Sequence, residues 1–264
     1  MRSLISSAAL PRRDAFLISA YIVIITALAW AYLVHLDRQM ASSMEHDKMM
    51  AAMGMTMEMP WTPADAFFTF AMWAVMMVGM MAGTAAPVLL LFAAAKAGHG
   101  ERGASPEVLM FGSGYLTIWI AFSACATVGQ WALHHAAMLS PAMAASSPRV
   151  AGGILIAAGA YQLTPWKRMC LAHCRTPLGF LMSNWRDGSL GAFQMGLRHG
   201  AYCLGCCWAL MCVLFAVGVM NLIWVAALTA LVLVEKIGPA GAAVSAVVGV
   251  AMALGGVLLI VGVV

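Results

Sequence analysis

The sequence predicts an all-α membrane protein, a polytopic bundle of about seven transmembrane helices that forms a single domain over residues 1–264. Only 9% of the residues are charged and 63% are hydrophobic, whereas soluble globular domains carry about 25% charged residues. The charges lie in short stretches between apolar runs of roughly 20 residues, which is the length needed to cross the hydrocarbon core. A nucleic-acid-binding protein is excluded, because the formal charge of +4 is scattered and forms no basic face.

The apolar runs define the predicted membrane helices. In chain order they are Ala15–Val34, Phe67–Ala95, Val108–Leu133, Val150–Leu163, Leu190–Val217, Leu222–Val234 and Ala240–Val264. The first run follows basic residues and has no small-residue cleavage site, so we expect a membrane anchor rather than a cleaved signal peptide. The fourth run is short. No charge separates the fifth run from the sixth, and we place that turn at Gly218–Asn221.

The basic residues predict the orientation. Assigning alternate loops to one side groups Arg2, Arg12, Arg13, Lys96, Arg102, Lys167, Arg168, Arg175, Arg186 and Lys236, and leaves Arg38, Lys48 and Arg149 on the other side. Basic residues are enriched in cytoplasmic loops. We therefore expect a cytoplasmic amino terminus, an external loop over residues 36–65, and a location in the bacterial inner membrane with the lipid bilayer as a partner.

The predicted external loop is rich in methionine and histidine. Its methionines are Met40, Met44, Met49, Met50, Met53, Met55, Met57 and Met59. Thioether sulfur is a soft ligand that suits Cu(I). The M-x-M-x-M spacing of Met55, Met57 and Met59 favours an extended strand of capture ligands. The alternative is an amphipathic helix on the membrane in which methionine only fills gaps.

The fifth predicted helix carries the densest group of metal-ligating side chains, in GLRHGAYCLGCCWALMC. At about 100° per residue, His199, Cys203, Cys206 and Cys207 share one side of this helix. Thiolate and imidazole together favour Cu(I) or Zn(II) over hard ions. Buried cysteine can also be a small apolar side chain, but ionisable groups inside a membrane usually mark function. We predict a Cu(I) site here, with zinc as the second choice.

A second cysteine pair, Cys170 and Cys174, follows in PWKRMCLAHCRTP. The basic residues beside these thiols are expected to favour the thiolate, which would aid metal capture or thiol exchange. Two other groups are less specific. Met72, Met76, Met77, Met80 and Met81 form a stripe of the kind that is more often ordinary core, and His134 and His135 end the third predicted helix.

Four stretches resemble a bacterial family described as predicted metal-binding integral membrane proteins, often labelled copper chaperone. They are WAVMMVGMM (Trp73–Met81), GAYQLTPWKRMCLAHCRTP (Gly159–Pro177), WRDGSLGAFQMGLRHGAYCLGCCWALM (Trp185–Met211) and GVMNLIWVAALTALVLVEK (Gly218–Lys236). The resemblance implies soft-metal handling, with ligands at Cys170, Cys174, His199, Cys203, Cys206 and Cys207. In the family, a proline follows soon after the paired methionines of this helix. This chain has Gly79 there instead, and its next proline is Pro87.

These features favour a membrane copper-binding protein that captures Cu(I) at the outer loop, holds it at the intramembrane His/Cys site and exchanges it with copper-donor or copper-acceptor proteins. Cys170 and Cys174 would be a cytoplasmic hand-over point. No ATP-binding loop is present, so active pumping is not expected. One alternative is an enzyme, a thiol-disulfide/quinone oxidoreductase that uses the Cys203–Cys206 pair. Another is a structural subunit of a membrane metalloenzyme complex.

Overall fold

The computed structural model describes residues 10–52, 61–98, 105–139 and 143–262. Its helices are α1 Arg12–Ala52, α2 Pro63–Gly98, α3 Pro106–His135, α4 Pro148–Gln162, α5 Pro165–Arg175, α6 Pro177–Asn184, α7 Gly188–Cys212, α8 Leu214–Val217, α9 Leu222–Ile237 and α10 Gly241–Val261. These ranges also contain an isolated antiparallel β-bridge between Leu139 and Ala145. The all-α prediction is confirmed.

Proline and polar caps set where the helices begin. Each of α2 to α6 starts at a proline, which suits the first helical position because its fixed φ fits the helix and its missing N–H is not needed there. Ser147, Thr164 and Asn221 each accept a hydrogen bond from a backbone N–H of the first turn of the helix that follows. Such caps satisfy otherwise unpaired donors.

The protein is a multi-pass membrane protein. Within the described ranges, five helices are long and apolar enough to cross a membrane: Arg12–Met40, Pro63–Gly98, Pro106–His135, Gly188–Val217 and Gly241–Val261. The prediction of about seven spans is not confirmed. The predicted fourth and sixth spans form α4 and α9, with 15 and 16 residues, whereas a crossing needs about 20. The cytoplasmic amino terminus stays a prediction.

Glycines allow two helix pairs to pack backbone against backbone. A Cβ atom at Gly196 of α7 would collide with the backbone of α3 at Phe111. In the same way, Gly152 and Gly159 of α4 face Gly256 and Gly249 of α10 in reverse order, so that this pair is antiparallel. Small residues permit such close contacts between membrane helices. The glycine-rich carboxyl-terminal helix therefore packs within its own chain.

The buried side chains form two cores. The first, which we call the sulfur core, contains Met72, Met76, Met77, Met80, Met81, Cys203, Cys206, Cys207, Met211 and Met220 among other apolar residues. The second, the aromatic core, contains Phe92, Phe111, Phe180 and Met195, with Trp185 packed against it. Helices α2, α3 and α7 contribute to both cores.

The two ends of the bundle are distinguished by their contacts. At one end, Trp61 just before α2 packs on His134 of α3 with ring centroids 5.9 Å apart; we call this the Trp61 end. At the other, the Lys96 end, Lys96 of α2 forms an ion pair with Glu107 of α3. Helix α2 therefore runs antiparallel to α3.

Candidate metal centre

Helix α7 presents its predicted ligands to the protein interior. His199 is 3% exposed, and the side chains of Cys203, Cys206 and Cys207 are each 1% exposed. Arg198, beside His199, lines a surface pocket instead. The shared helix side expected from the 100° spacing is thus the side that packs against the bundle.

Cys174 of α5 joins the α7 cysteines. Its Sγ lies 3.9 Å from Cys206 Sγ, and its thiol also interacts with that of Cys203. Cys207 interacts with Cys203 and Cys206. The sequence suggested two separate metal sites, one intramembrane on α7 and one cytoplasmic at the Cys170 and Cys174 pair. In the structure, cysteines from both lie together, and we call Cys174, Cys203, Cys206 and Cys207 the thiol cluster.

A glycine on α7 makes room for α5. A Cβ atom at Gly205 would lie 2.7 Å from Cys170 Sγ, so this sulfur occupies the space that any other residue would fill. Tyr161, near the end of α4, donates a hydroxyl hydrogen bond to the Gly205 carbonyl oxygen and so ties α4 to the same point of α7. Cys170 and Cys174 are one helical turn apart, so docking of Cys170 on Gly205 brings Cys174 to Cys206.

Two hydrogen-bonding groups point at Cys203. Lys236 Nζ of α9 lies 2.8 Å from Cys203 Sγ and 3.3 Å from Thr84 Oγ1, and Tyr115 Oη of α3 lies 3.0 Å from the same sulfur. A buried ammonium in contact with a sulfur stabilises negative charge there. Met81 completes the surroundings, with its Sδ 4.0 Å from Lys236 Nζ.

A buried ion pair holds α9 in place. Lys167 Nζ of α5 lies 2.7 Å from Glu235 Oε2, and Gln162 Nε2 donates to Glu235 Oε1 at 3.0 Å. Arg175 donates to the Glu235 carbonyl oxygen at 2.6 Å. Because Glu235 precedes Lys236, the contacts that tie α5 to α9 also fix the position of the ammonium beside Cys203.

His199 faces the aromatic core. Its ring centroid lies 5.0 Å from that of Phe180, 5.9 Å from Tyr115 and 6.2 Å from Phe111. Its buried Nδ1 has no hydrogen-bond partner. Among the residues that the structure describes, no three His, Cys, Asp or Glu side chains are arranged to hold a metal ion, so neither the thiol cluster alone nor the thiols together with His199 form a preformed three-ligand site.

A family comparison bears on what this cluster is for. The model of a family described as PpoB2, copper chaperone, matches residues 70–259, well over half of the chain. The chain belongs to this family. The resemblance inferred from the sequence motifs is thereby confirmed, and the matched region contains every residue of the thiol cluster. No match was found among curated proteins or among solved structures.

The separation of the Cys174 and Cys206 sulfurs matches that of two ligands of one soft ion. With metal–sulfur bonds of about 2.3 Å, two sulfurs on one ion are about 3.8 Å apart in tetrahedral and about 4.0 Å apart in trigonal coordination. The 3.9 Å between Cys174 and Cys206 falls in that range, and it is far from the 2.05 Å or so of a disulfide. Thiolate donors with a nearby thioether are the set that favours Cu(I).

The expectation of an activated thiolate at Cys170 is wrong. Burial, and next the proximity of Cys206, raises the pKa of the Cys170 thiol. The neighbouring cations are engaged elsewhere, since Lys167 pairs with Glu235 and Arg168 donates to the Leu163 carbonyl oxygen. The basic residues that flank this pair in sequence therefore anchor helices instead of serving the thiols.

The predicted capture ligands Met55, Met57 and Met59 lie outside the described residues. Within the predicted loop 36–65, the chain continues as helix α1 up to Ala52, and Met49 is exposed. Sequence reasoning missed Lys236 and Tyr115, because Lys236 was assigned only to the charge pattern of the loops. An ionisable residue at the end of an apolar helix was the available clue.

Proposed function

We propose that the protein holds Cu(I), as cargo, in the thiol cluster and passes it to an acceptor protein. The observation that carries this proposal is the 3.9 Å distance between the Sγ atoms of Cys174 and Cys206. These residues are 32 positions apart in the sequence and lie on different helices. Cys203 is the third ligand, because its thiol interacts with that of Cys174. Cys207, whose Sγ donates to the Cys203 carbonyl oxygen at 2.9 Å, is the further ligand available in the cluster.

Lys236 balances the charge of the loaded site. Each thiolate beyond the first adds one net negative charge to a bound Cu(I) ion, and an unpaired charge inside a membrane protein is costly. The ammonium 2.8 Å from Cys203 Sγ supplies the opposite charge. His199 serves as an additional ligand through its unpaired Nδ1, which would favour Cu(I) or, second, zinc.

The direction of helices supports the predicted topology. Helix α4 runs antiparallel to α10 along the glycine contacts, as alternating crossings require. We propose that α4 and α9 complete a seven-pass bundle in the bacterial inner membrane. The distribution of basic residues between the loops then assigns the amino terminus to the cytoplasm and the Trp61 end to the outside.

Capture of copper is assigned to the Met-rich segment, with Met55, Met57 and Met59 as the first ligands. Deleting Met49–Met59 should lower copper acquisition when copper is scarce and leave the bundle folded, because the two cores, as far as the structure describes them, are built from other residues. Cellular copper content and the thermal unfolding of the purified variant measure the two effects. A variant that no longer extracts as a folded protein would show that the segment is structural packing.

The test of the thiol cluster is Cu(I) affinity, measured by competition with a chelator under reducing conditions. Cys174→Ser and Cys206→Ser should each weaken binding at least tenfold, because a hard hydroxyl replaces a soft thiolate. Cys212→Ser is the matched control, since Cys212 lies on the same helix outside the cluster. Unaltered affinity in both cluster variants would overturn the proposal.

The oxidoreductase alternative has less support. The thiol that Cys206 Sγ contacts is that of Cys174, 3.9 Å away, whereas a C-x-x-C redox pair requires Cys203 and Cys206 to bond to each other. That alternative predicts that Cys203→Ser and Cys206→Ser each lose quinone-linked thiol turnover, while the copper content of the protein stays unchanged. The same protein preparations can be assayed for both properties.

A further inference from the structure

Helix α2 carries a column of buried methionines. Met72, Met76, Met77, Met80 and Met81 are at most 4% exposed. Each is three or four residues from another member, and side chains at this spacing are neighbours on a helix surface. From Met72 to Met81 the column rises about 13.5 Å along the helix axis. These five residues are called the methionine column below.

The column ends at the thiol cluster. Met81 Sδ lies 4.0 Å from Lys236 Nζ, and that nitrogen lies 2.8 Å from Cys203 Sγ. Tyr115 connects the same two residues, because its hydroxyl donates to the Met81 carbonyl oxygen at 3.2 Å and lies 3.0 Å from Cys203 Sγ. A thioether of the column and a thiol of the cluster therefore contact the same buried ammonium.

Toward the Trp61 end, a further methionine is held in an unusual way. Met143 has a φ of 55°, a conformation that is strained for a side chain of this size and is maintained only by its surroundings. Gln130 Nε2 donates to Met143 Sδ at 3.2 Å, and Trp73 Nε1 donates to Gln130 Oε1 at 2.8 Å. Trp73 directly follows Met72, so this network ties Met143 to the turn of α2 at which the column begins.

We propose that Met143 and the methionine column form a thioether pathway along which Cu(I) moves from the Trp61 end to the thiol cluster. This inference rests on the proposed function. Each step is a ligand exchange, in which one copper–sulfur bond forms as another breaks and the oxidation state stays the same. No proton moves within the column, because a thioether carries none; a proton is released only where a thiol becomes the ligand. The stronger binding by thiolates gives the movement its direction.

Packing alone would not require methionine at these positions. Leucine has a similar volume, and such exchanges are well tolerated in protein cores. The aromatic core shows a comparably buried methionine, Met195, whose sulfur accepts a hydrogen bond from the Arg186 backbone N–H and has no series of thioethers beside it on its helix. Met195 therefore provides a matched control that is buried, carries sulfur and lies off the pathway.

The experiment compares the Met76→Leu/Met80→Leu variant with Met195→Leu in lipid vesicles. Cu(I) bound to a weak chelator is supplied on the side of the Trp61 end, and its arrival at the thiols is followed by thiolate-to-copper absorption. The column variant should load at least tenfold more slowly than wild type and have the same final affinity, whereas Met195→Leu should match wild type in both. Equal loading rates in all three proteins would overturn the pathway.

The outcomes separate the pathway from the thiol cluster itself. If wild type shows no thiolate-to-copper absorption at all, the proposed function fails; if it loads normally and the column variant loads at the same rate, only the pathway fails. A second measurement, with a single substitution, tests the pathway if the double column variant folds poorly. In selenomethionine-labelled Cys206→Ser protein, copper–selenium scattering should fall when Met80 alone is replaced by leucine and not when Met195 is. An unchanged signal would contradict the pathway.

Discussion

The sulfur core and the aromatic core are equally buried and share helices α2, α3 and α7, yet they are built from different chemistry. In the aromatic core, Phe92 stacks on Phe111 with centroids 5.2 Å apart, and Phe180 meets the ring of His199. Such rings fill space with large apolar area. The sulfur core instead places thiols beside a buried ammonium. Burial alone does not separate a structural region from a binding region; the polar atoms inside it do.

The largest expected effect concerns the buried ion pair of α5 and α9, which holds Lys236 beside the sulfur core. Lys167→Met leaves the Glu235 carboxylate buried without its cation, and breaking such a pair costs about 3–5 kcal/mol. The free energy of unfolding should therefore fall by that amount in a chemical unfolding titration. The double variant Lys167→Met/Glu235→Leu, which removes both charges, should recover most of the loss. A single variant as stable as wild type would show that the ion pair does not hold α5 to α9.

The next effect concerns copper affinity. Cys203→Ser should weaken Cu(I) binding about a hundredfold, or about 2.8 kcal/mol, because Cys203 is the sulfur on which Lys236 and Tyr115 converge. Phe92→Leu, in the aromatic core, should leave the affinity unchanged and reduce stability only. Competition with a chelator measures both. Equal losses of affinity would mean that the two cores do not differ in function.

Local features of the metal centre were predictable from the sequence, and its assembly was not. The cysteine face of α7 follows from helical periodicity within a few turns, so its burial could be predicted. The meeting of Cys174 with Cys206 depends on how α5 docks against Gly205, and no spacing within either helix encodes that contact. Lys236 was missed for the same reason, because its partner Cys203 lies 33 residues away.

The fold shows the same limit. Apolar runs predicted the long helices well, since length and hydropathy are local properties. The runs at α4 and α9 were taken as crossings, and the helices that form there have 15 and 16 residues, which is below the roughly 20 that a crossing needs. The paired glycines of α4 and α10 show how a short helix can still be buried against a long one.

A smaller effect is expected where the sulfur core depends on helix docking. In Gly205→Ala, the new methyl group would lie 2.7 Å from Cys170 Sγ and should push α5 away, separating Cys174 from Cys206. Cu(I) affinity should fall about tenfold, or about 1.4 kcal/mol. Gly153→Ala is the control, because a Cβ atom there meets nothing within 4 Å. If both variants bind copper like wild type, the Cys174–Cys206 contact is not needed for the site.

The smallest expected effect lies at the boundary between the two cores, at His199. Its ring packs among aromatic side chains, but its unpaired Nδ1 is on the helix that carries the thiols. His199→Ala should weaken Cu(I) binding about threefold to tenfold, at most about 1.4 kcal/mol, because Cys174, Cys203 and Cys206 remain as ligands. His199→Phe, which keeps a ring among Phe111 and Phe180, should lose as much affinity as the alanine variant and less stability. If His199→Phe binds copper as tightly as wild type, His199 belongs to the aromatic core alone. A loss as large as that of Cys203→Ser would instead make the imidazole a full ligand and extend the metal centre into the aromatic core.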